Sequence, residues 1–201
     1  MFQVQKSEDC RNFGRRTGKN GEELLRLDTS FYLGRDLKVK KISYIMENSN
    51  IETKLAEMGL SLPTLPGSKG IYHSCLTIDK LVYVSGHVSV QTDGSFITGK
   101  LGQDLDETEG QIAARQCGLA MLTSLKKHLG SLDRIKRVVK LLGMVNATPE
   151  YTQHPVVING CSTLFVDLWG DEYGKGVRSA VGMGSLPGNV AVEVEGVFEI
   201  E

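Results

Sequence analysis

An α+β fold of order ββαβαββ, with one mixed sheet and two helices on one face, is what this amino-acid sequence predicts. Three observations carry the prediction: five short β-rich runs, two longer runs with apolar residues at three- and four-residue spacing, and turn-forming residues at the junctions. The chain has 201 residues, 40% hydrophobic and 23% charged. That is enough for one globular domain whose core needs no staple. Covering one sheet face with both helices leaves the other partly apolar, so oligomerisation is expected.

Residues 1–50 read as a basic N-terminal extension, in which Arg11, Arg15, Arg16, Lys19, Arg26, Lys38, Lys40 and Lys41 are set among Gly14, Gly18 and Gly21. The domain is placed at 51–201. A short helix is expected from Ile51 through Leu60, before the turn-rich stretch Leu62 to Gly67. Ile71 to Ile78 and Leu81 to Val88 form a buried hairpin about Asp79-Lys80. Asp104 and Asp106 suit the cap of a helix with Glu107 and Glu109 in its first turn. Ile112, Ala113, Cys117, Ala120, Met121, Ser124 and Leu125 make its apolar stripe, and Gly130 ends it.

A third strand is expected over Ile135 to Val145, broken by the loop Thr148 to Thr152. Pro155 suits the first position of a second helix. Its apolar face is Val157, Cys161, Leu164, Phe165 and Leu168, and Gly170 is expected to stop it. Arg178 to Met183 and Val190 to Ile200 then close the chain as a hairpin about Leu186 to Asn189.

Composition weighs against several function classes. A formal net charge of −1 gives no overall attraction to nucleic acid or to an anionic membrane. The cysteines Cys10, Cys75, Cys117 and Cys161 form no CxxC pair, and His73, His87, His128 and His154 form no metal-binding spacing. Neither metal nor organic cofactor is expected. No run approaches the ~18 apolar residues of a membrane span, so a soluble, cytoplasmic protein is expected. A mitochondrial location follows only if residues 1–50 are a presequence, which Glu8, Asp9, Glu22, Glu23, Asp28 and Asp36 oppose.

Arg178-Ser179-Ala180-Val181, then Leu186-Pro187, then Val192-Glu193-Val194-Glu195 form a distinctive closing pattern. Tyr72 before a strand, Val84-Ser85-Gly86 within the next, Asn159 in the second helix and the Arg134 to Val139 strand complete it in order. Over residues 58–201 the chain resembles the reactive-intermediate deaminase (RidA, or YjgF-like) family. The resemblance implies a chorismate-mutase-like fold, a homotrimer with intersubunit sites, no cofactor, and hydrolysis of 2-imino or enamine acids to 2-oxo acid and ammonia.

By the same resemblance, Arg178 and Glu193 are the catalytic residues. A guanidinium is permanently charged, and its planar fork of donors suits a substrate carboxylate. Position alone would favour an exposed or ion-paired arginine opening a strand; the surrounding pattern reverses that. Glu193 would hold or polarise the attacking water, more effectively if burial raises its pKa. Glu193 and Glu195 share one sheet face, and only the resemblance selects Glu193. Tyr72, Ser85 and Asn159 would bind substrate. Without the resemblance these read as a strand aromatic, a neighbour of a bulge at Gly86 and a polar helix face.

Many family members have a proline before the tyrosine and a glutamine after Ser-Gly, where this chain has Ile71 and His87. The glycine-rich stretch Gly170 to Gly176 also departs from the short members. These differences border the expected pocket and leave the particular imino acid open. Two rival readings remain. One is a non-catalytic sensor of small carboxylates. The other is an RNA-binding or endoribonuclease role, for which Lys126, Lys127, Arg134, Lys136, Arg137 and Lys140 offer basic residues without interleaved aromatics.

Overall fold

The structure, a computed structural model, describes residues 50–67 and 70–201. The expected basic extension over 1–50 lies outside them, Asn50 excepted. Asn50 caps helix α1 (Ile51–Glu57) by accepting the Thr53 amide at 2.7 Å. The helix stops short of Leu60 because Gly59 turns into the left-handed region at φ 68°. Strands β1 (Cys75–Ile78) and β2 (Leu81–Val88) form the expected antiparallel hairpin. Asp79 supplies its left-handed residue at φ 53°. The first strand is shorter than predicted: residues 71–74 lie outside it and the Ile71 side chain is fully exposed. β-propensity alone does not make a strand without packing.

Helix α2 (Glu107–Leu129) begins with a capping box between Asp106 and Glu109 and ends at Gly130. Its buried side is broader than the predicted stripe, because it packs against both the sheet and helix α3 (His154–Gly174). Ile112, placed in that stripe, is instead half exposed. In α3 the five predicted apolar positions are all buried. Gly170, at φ 74°, interrupts the helix, and a further turn runs on to Gly174. The two helices meet where Gly160 lies against the Gln111 backbone with no room for a side chain.

Strands β3 (Ile135–Asn146), β4 (Val177–Met183) and β5 (Val192–Ile200) complete a five-stranded mixed sheet of order β1-β2-β5-β3-β4. The predicted terminal hairpin is corrected here. β4 pairs parallel to β3, with Leu141 opposite Arg178, while β5 inserts antiparallel between β2 and β3. Adjacency in sequence suggested direct pairing. Burial decided otherwise, because β5 alternates into the core at Val192, Val194, Phe198 and Ile200 and belongs at the sheet centre. The core lies between this face and the two long helices. The opposite face carries Leu76, Ile78, Tyr83 and Val181 exposed.

Candidate functional site

Arg178 is the second residue of the edge strand β4, and its side chain turns toward α3. Its Nη1 donates to Ser162 Oγ at 2.8 Å, and Nη2 donates to Asn159 Oδ1 at 2.7 Å and to the Pro155 carbonyl at 3.2 Å. All three acceptors are neutral. Among the described residues no carboxylate forms an ion pair with Arg178. A guanidinium has five N–H donors, so three bonds fix its plane and leave two donors and the full charge for an incoming anion. The adjoining cleft, about 380 Å³, is lined by Leu141, Asn159, Ser162, Thr163, Val166, Lys175 and Arg178 among others. The charge is felt in the core as well: burial pushes the Cys161 thiol up to about 12, and Arg178 opposes that rise.

The second region lies where β2 is disrupted. Its register against β5 shifts between Val84 and His87, a β-bulge around Ser85-Gly86. The Glu193 carboxylate lies against Gly86, where any side chain would occupy the position of Oε1. Glycine at 86 is therefore what allows the carboxylate to rest on the strand. Half burial, and then the neighbouring Glu195, raise the Glu193 carboxyl above its ordinary range. Ser85 Oγ donates to the His73 carbonyl at 2.7 Å. Tyr72 is largely exposed and lines a cavity of about 190 Å³ with Ser74, Gly86, His87 and Ser124.

His87, singled out in sequence only as a departure from the family pattern, is nearly buried and holds the bulge in place. Its Nδ1 lies 2.7 Å from the Ser85 carbonyl and its Nε2 lies 2.7 Å from Ser124 Oγ. A carbonyl only accepts, so Nδ1 carries the proton and the neutral ring accepts at Nε2 from the serine. Burial lowers its pKa below 6.5.

The predicted site residues thus fall into two groups within one chain. Arg178 and Asn159 are hydrogen-bonded together. Ser85 lies in the β2 bulge, Glu193 rests there against Gly86, and Tyr72 lines the cavity beside Gly86. Side-chain alternation puts Arg178 on the helix-covered side of β4, and Glu193 on the open side of β5. Strand β3 lies between β4 and β5, so the two strands are separated by about 10 Å across the sheet.

Sequence reasoning missed Ser162 and the Pro155 carbonyl. Ser162 stands three residues after Asn159 in a helix, a spacing that puts both on one face; that was the available signal. The basic run looks different in three dimensions. Lys126 pairs with Glu52, Lys136 and Arg137 pair with Glu199, and Arg137 also stacks over Tyr173 at 5.2 Å. Among the described residues, no group of His, Cys, Asp and Glu side chains is arranged to hold a metal, and no helix is long and apolar enough to cross a membrane.

A five-stranded mixed sheet with two long helices on one face and an arginine cleft at its parallel edge is a chorismate-mutase-like α+β architecture. Over residues 52–195 the chain belongs to the family described as "YjgF/chorismate mutase-like, putative endoribonuclease", to which the RidA proteins belong. Protein TCP17 of Trypanosoma cruzi is 37% identical over 156 residues, spanning 78% of this chain and 98% of that protein. The crystal structure of Atu1372, a protein of unknown function from Agrobacterium tumefaciens, is similar with a TM-score of 0.69 at 37% identity, covering 79% of this chain and 97% of that one. A structure described as a "putative endoribonuclease", from Shewanella oneidensis, is similar with a TM-score of 0.72 at 28% identity, covering 76% and 100%.

Proposed function

We propose that this protein is a cofactor-free hydrolytic deaminase of 2-imino acids. The observation that carries this reading is the Arg178 guanidinium, held in plane by Ser162, Asn159 and Pro155 yet unpaired with any described carboxylate. Such a group binds a substrate carboxylate at little reorganisation cost. Water then adds to the imine carbon: the C–O bond forms, the C=N π pair moves to nitrogen, and nitrogen gains a proton. The hydroxyl proton then passes to nitrogen, the C–N bond breaks, and ammonia leaves with the 2-oxo acid behind. Glu193 is the group to take the water proton, and burial, which raises its pKa, makes it a stronger base than an exposed carboxylate. Imines of this kind hydrolyse unaided, so positioning supplies most of the acceleration.

One chain keeps Arg178 and Glu193 on opposite faces of its sheet, so the reading requires a second copy to bring its bulge region to the first copy's arginine. The exposed Leu76, Ile78, Tyr83 and Val181 on the uncovered face are the apolar surface for that contact. A homotrimer with sites between subunits is the assembly proposed. The test couples a serine or threonine dehydratase to the purified protein and follows release of 2-oxo acid. Arg178→Ala abolishes the acceleration while sedimentation shows the oligomer intact. Full activity in that variant refutes the role of Arg178, and no acceleration by the unmodified protein with either imine leaves a carboxylate-binding sensor.

A further inference from the structure

A second cation stands on the Arg178 cleft. Lys175 lines it three residues before the arginine, at the junction of α3 and β4. Its backbone is pinned on both sides. Gly174 sits against the Phe165 and Val166 backbone with no room for a side chain, and at Gly176 an added Cβ would lie 3.0 Å from the Val138 side chain and carbonyl. The reversal at Gly170, φ 74°, brings the chain back to this point. The Lys175 backbone is therefore held beside the cleft, while its side chain stays largely exposed.

That ammonium has one partner among the described residues, Asp171 at 2.7 Å, and the two side chains are 64% and 76% exposed. Such an exposed pair contributes little and is readily exchanged for another carboxylate. Lys175 and Arg178 are about 10 Å apart at most along an extended backbone, close enough for one small ligand to meet both side chains. The same cleft is also lined by Ser162, Thr163, Leu141 and Val166. One arginine suffices for a monocarboxylate; a second cation on the same cleft adds attraction only for a ligand with another acidic group.

We propose that the cleft selects 2-imino dicarboxylates, with the α-carboxylate on Arg178 and the distal carboxylate on Lys175. This rests on the deaminase reading and narrows its substrate class. The experiment generates 2-iminosuccinate, 2-iminoglutarate and 2-iminopropanoate in place with amino-acid oxidases acting on aspartate, glutamate and alanine, and traps surviving imine with semicarbazide. For the unmodified protein, kcat/KM is expected to favour at least one dicarboxylate over 2-iminopropanoate by about tenfold. Lys175→Met should cut that ratio about fivefold to tenfold, and Asp171→Asn, which frees the ammonium, should raise it. Raising ionic strength should erode the preference in the unmodified protein and leave it flat in Lys175→Met, which a merely structural role would not produce. A ratio of one or less, or a ratio unchanged in Lys175→Met, overturns the proposal while the deaminase reading stands on the 2-iminopropanoate rate. No acceleration with any imine overturns both.

Discussion

The arginine region and the bulge region hold their ionisable groups in opposite ways. Arg178 is clamped by three neutral acceptors on α3, and its charge meets no described counter-ion. Glu193 rests on a strand irregularity, against a glycine, and its charge is penalised by burial and by Glu195. The first arrangement orients a permanent charge for binding an anion. The second makes a carboxylate a better proton acceptor, and among the described residues no hydrogen bond fixes it. In the proposed reaction, binding and proton transfer place different demands on their surroundings, and the two groups assigned to them lie on opposite faces of one sheet.

The sharpest way to break this contrast is at Gly86. Gly86→Ala places a methyl where the Glu193 carboxylate lies, and a flexible side chain gives way more easily than the strand. Displacing the carboxylate by about an ångström should slow imine hydrolysis about 100-fold with little change in melting temperature. Gly143→Ala, whose new methyl meets the buried Ile158 side chain, is the control. It should cost about 1–3 kcal/mol of stability by overpacking the core. If Gly86→Ala instead melts like Gly143→Ala, the glycine serves the fold and not the carboxylate.

A smaller effect is expected in the clamp. Asn159→Ala removes one of three acceptors from Arg178, and about a tenfold fall in kcat/KM should follow, worth about 1.4 kcal/mol. Ser162 and the Pro155 carbonyl still hold the guanidinium, so activity should persist, as steady-state kinetics will show. A loss as complete as that of Arg178→Ala would mean that Asn159 touches substrate itself.

The mildest test titrates the bulge. The buried His87 has its pKa lowered below 6.5, so the unfolded chain binds the proton first as pH falls. The stability it contributes is therefore fully present above about pH 6.5 and is lost on acidification toward its folded pKa. Urea unfolding from pH 8 to pH 5 should show this decline, and His87→Gln should flatten it. An equal decline in both proteins would assign the effect to other groups.

Both long helices were legible from the spacing of Cys117, Met121 and Leu125 and of Val157, Cys161, Phe165 and Leu168, because a helical stripe is a local pattern. Capping by Asp106 was legible for the same reason. The pairing of β4 was not, since no local signal says whether a strand meets its sequence neighbour or a parallel partner. Within the candidate site, family resemblance pointed to Arg178 and Asn159. Their hydrogen bond spans 19 residues and depends on how α3 lies across β4. The need for glycine at 86 was also hidden, because it arises from a side chain more than a hundred residues later in the chain.

The insertion of β5 between β2 and β3 also governs how the sheet is assembled. Its partners lie far back in sequence, as in the pairing of Leu81 with Glu199. A ribosome must synthesise most of β5 before the two halves of the sheet can join. Until then β2 and β3 each present an open edge, the kind of surface on which chains aggregate. Loop closure over such distances makes folding slow compared with a helical bundle of similar size. Removing β5 would leave two separate strand pairs, β1 with β2 and β3 with β4, where the intact chain has one continuous sheet.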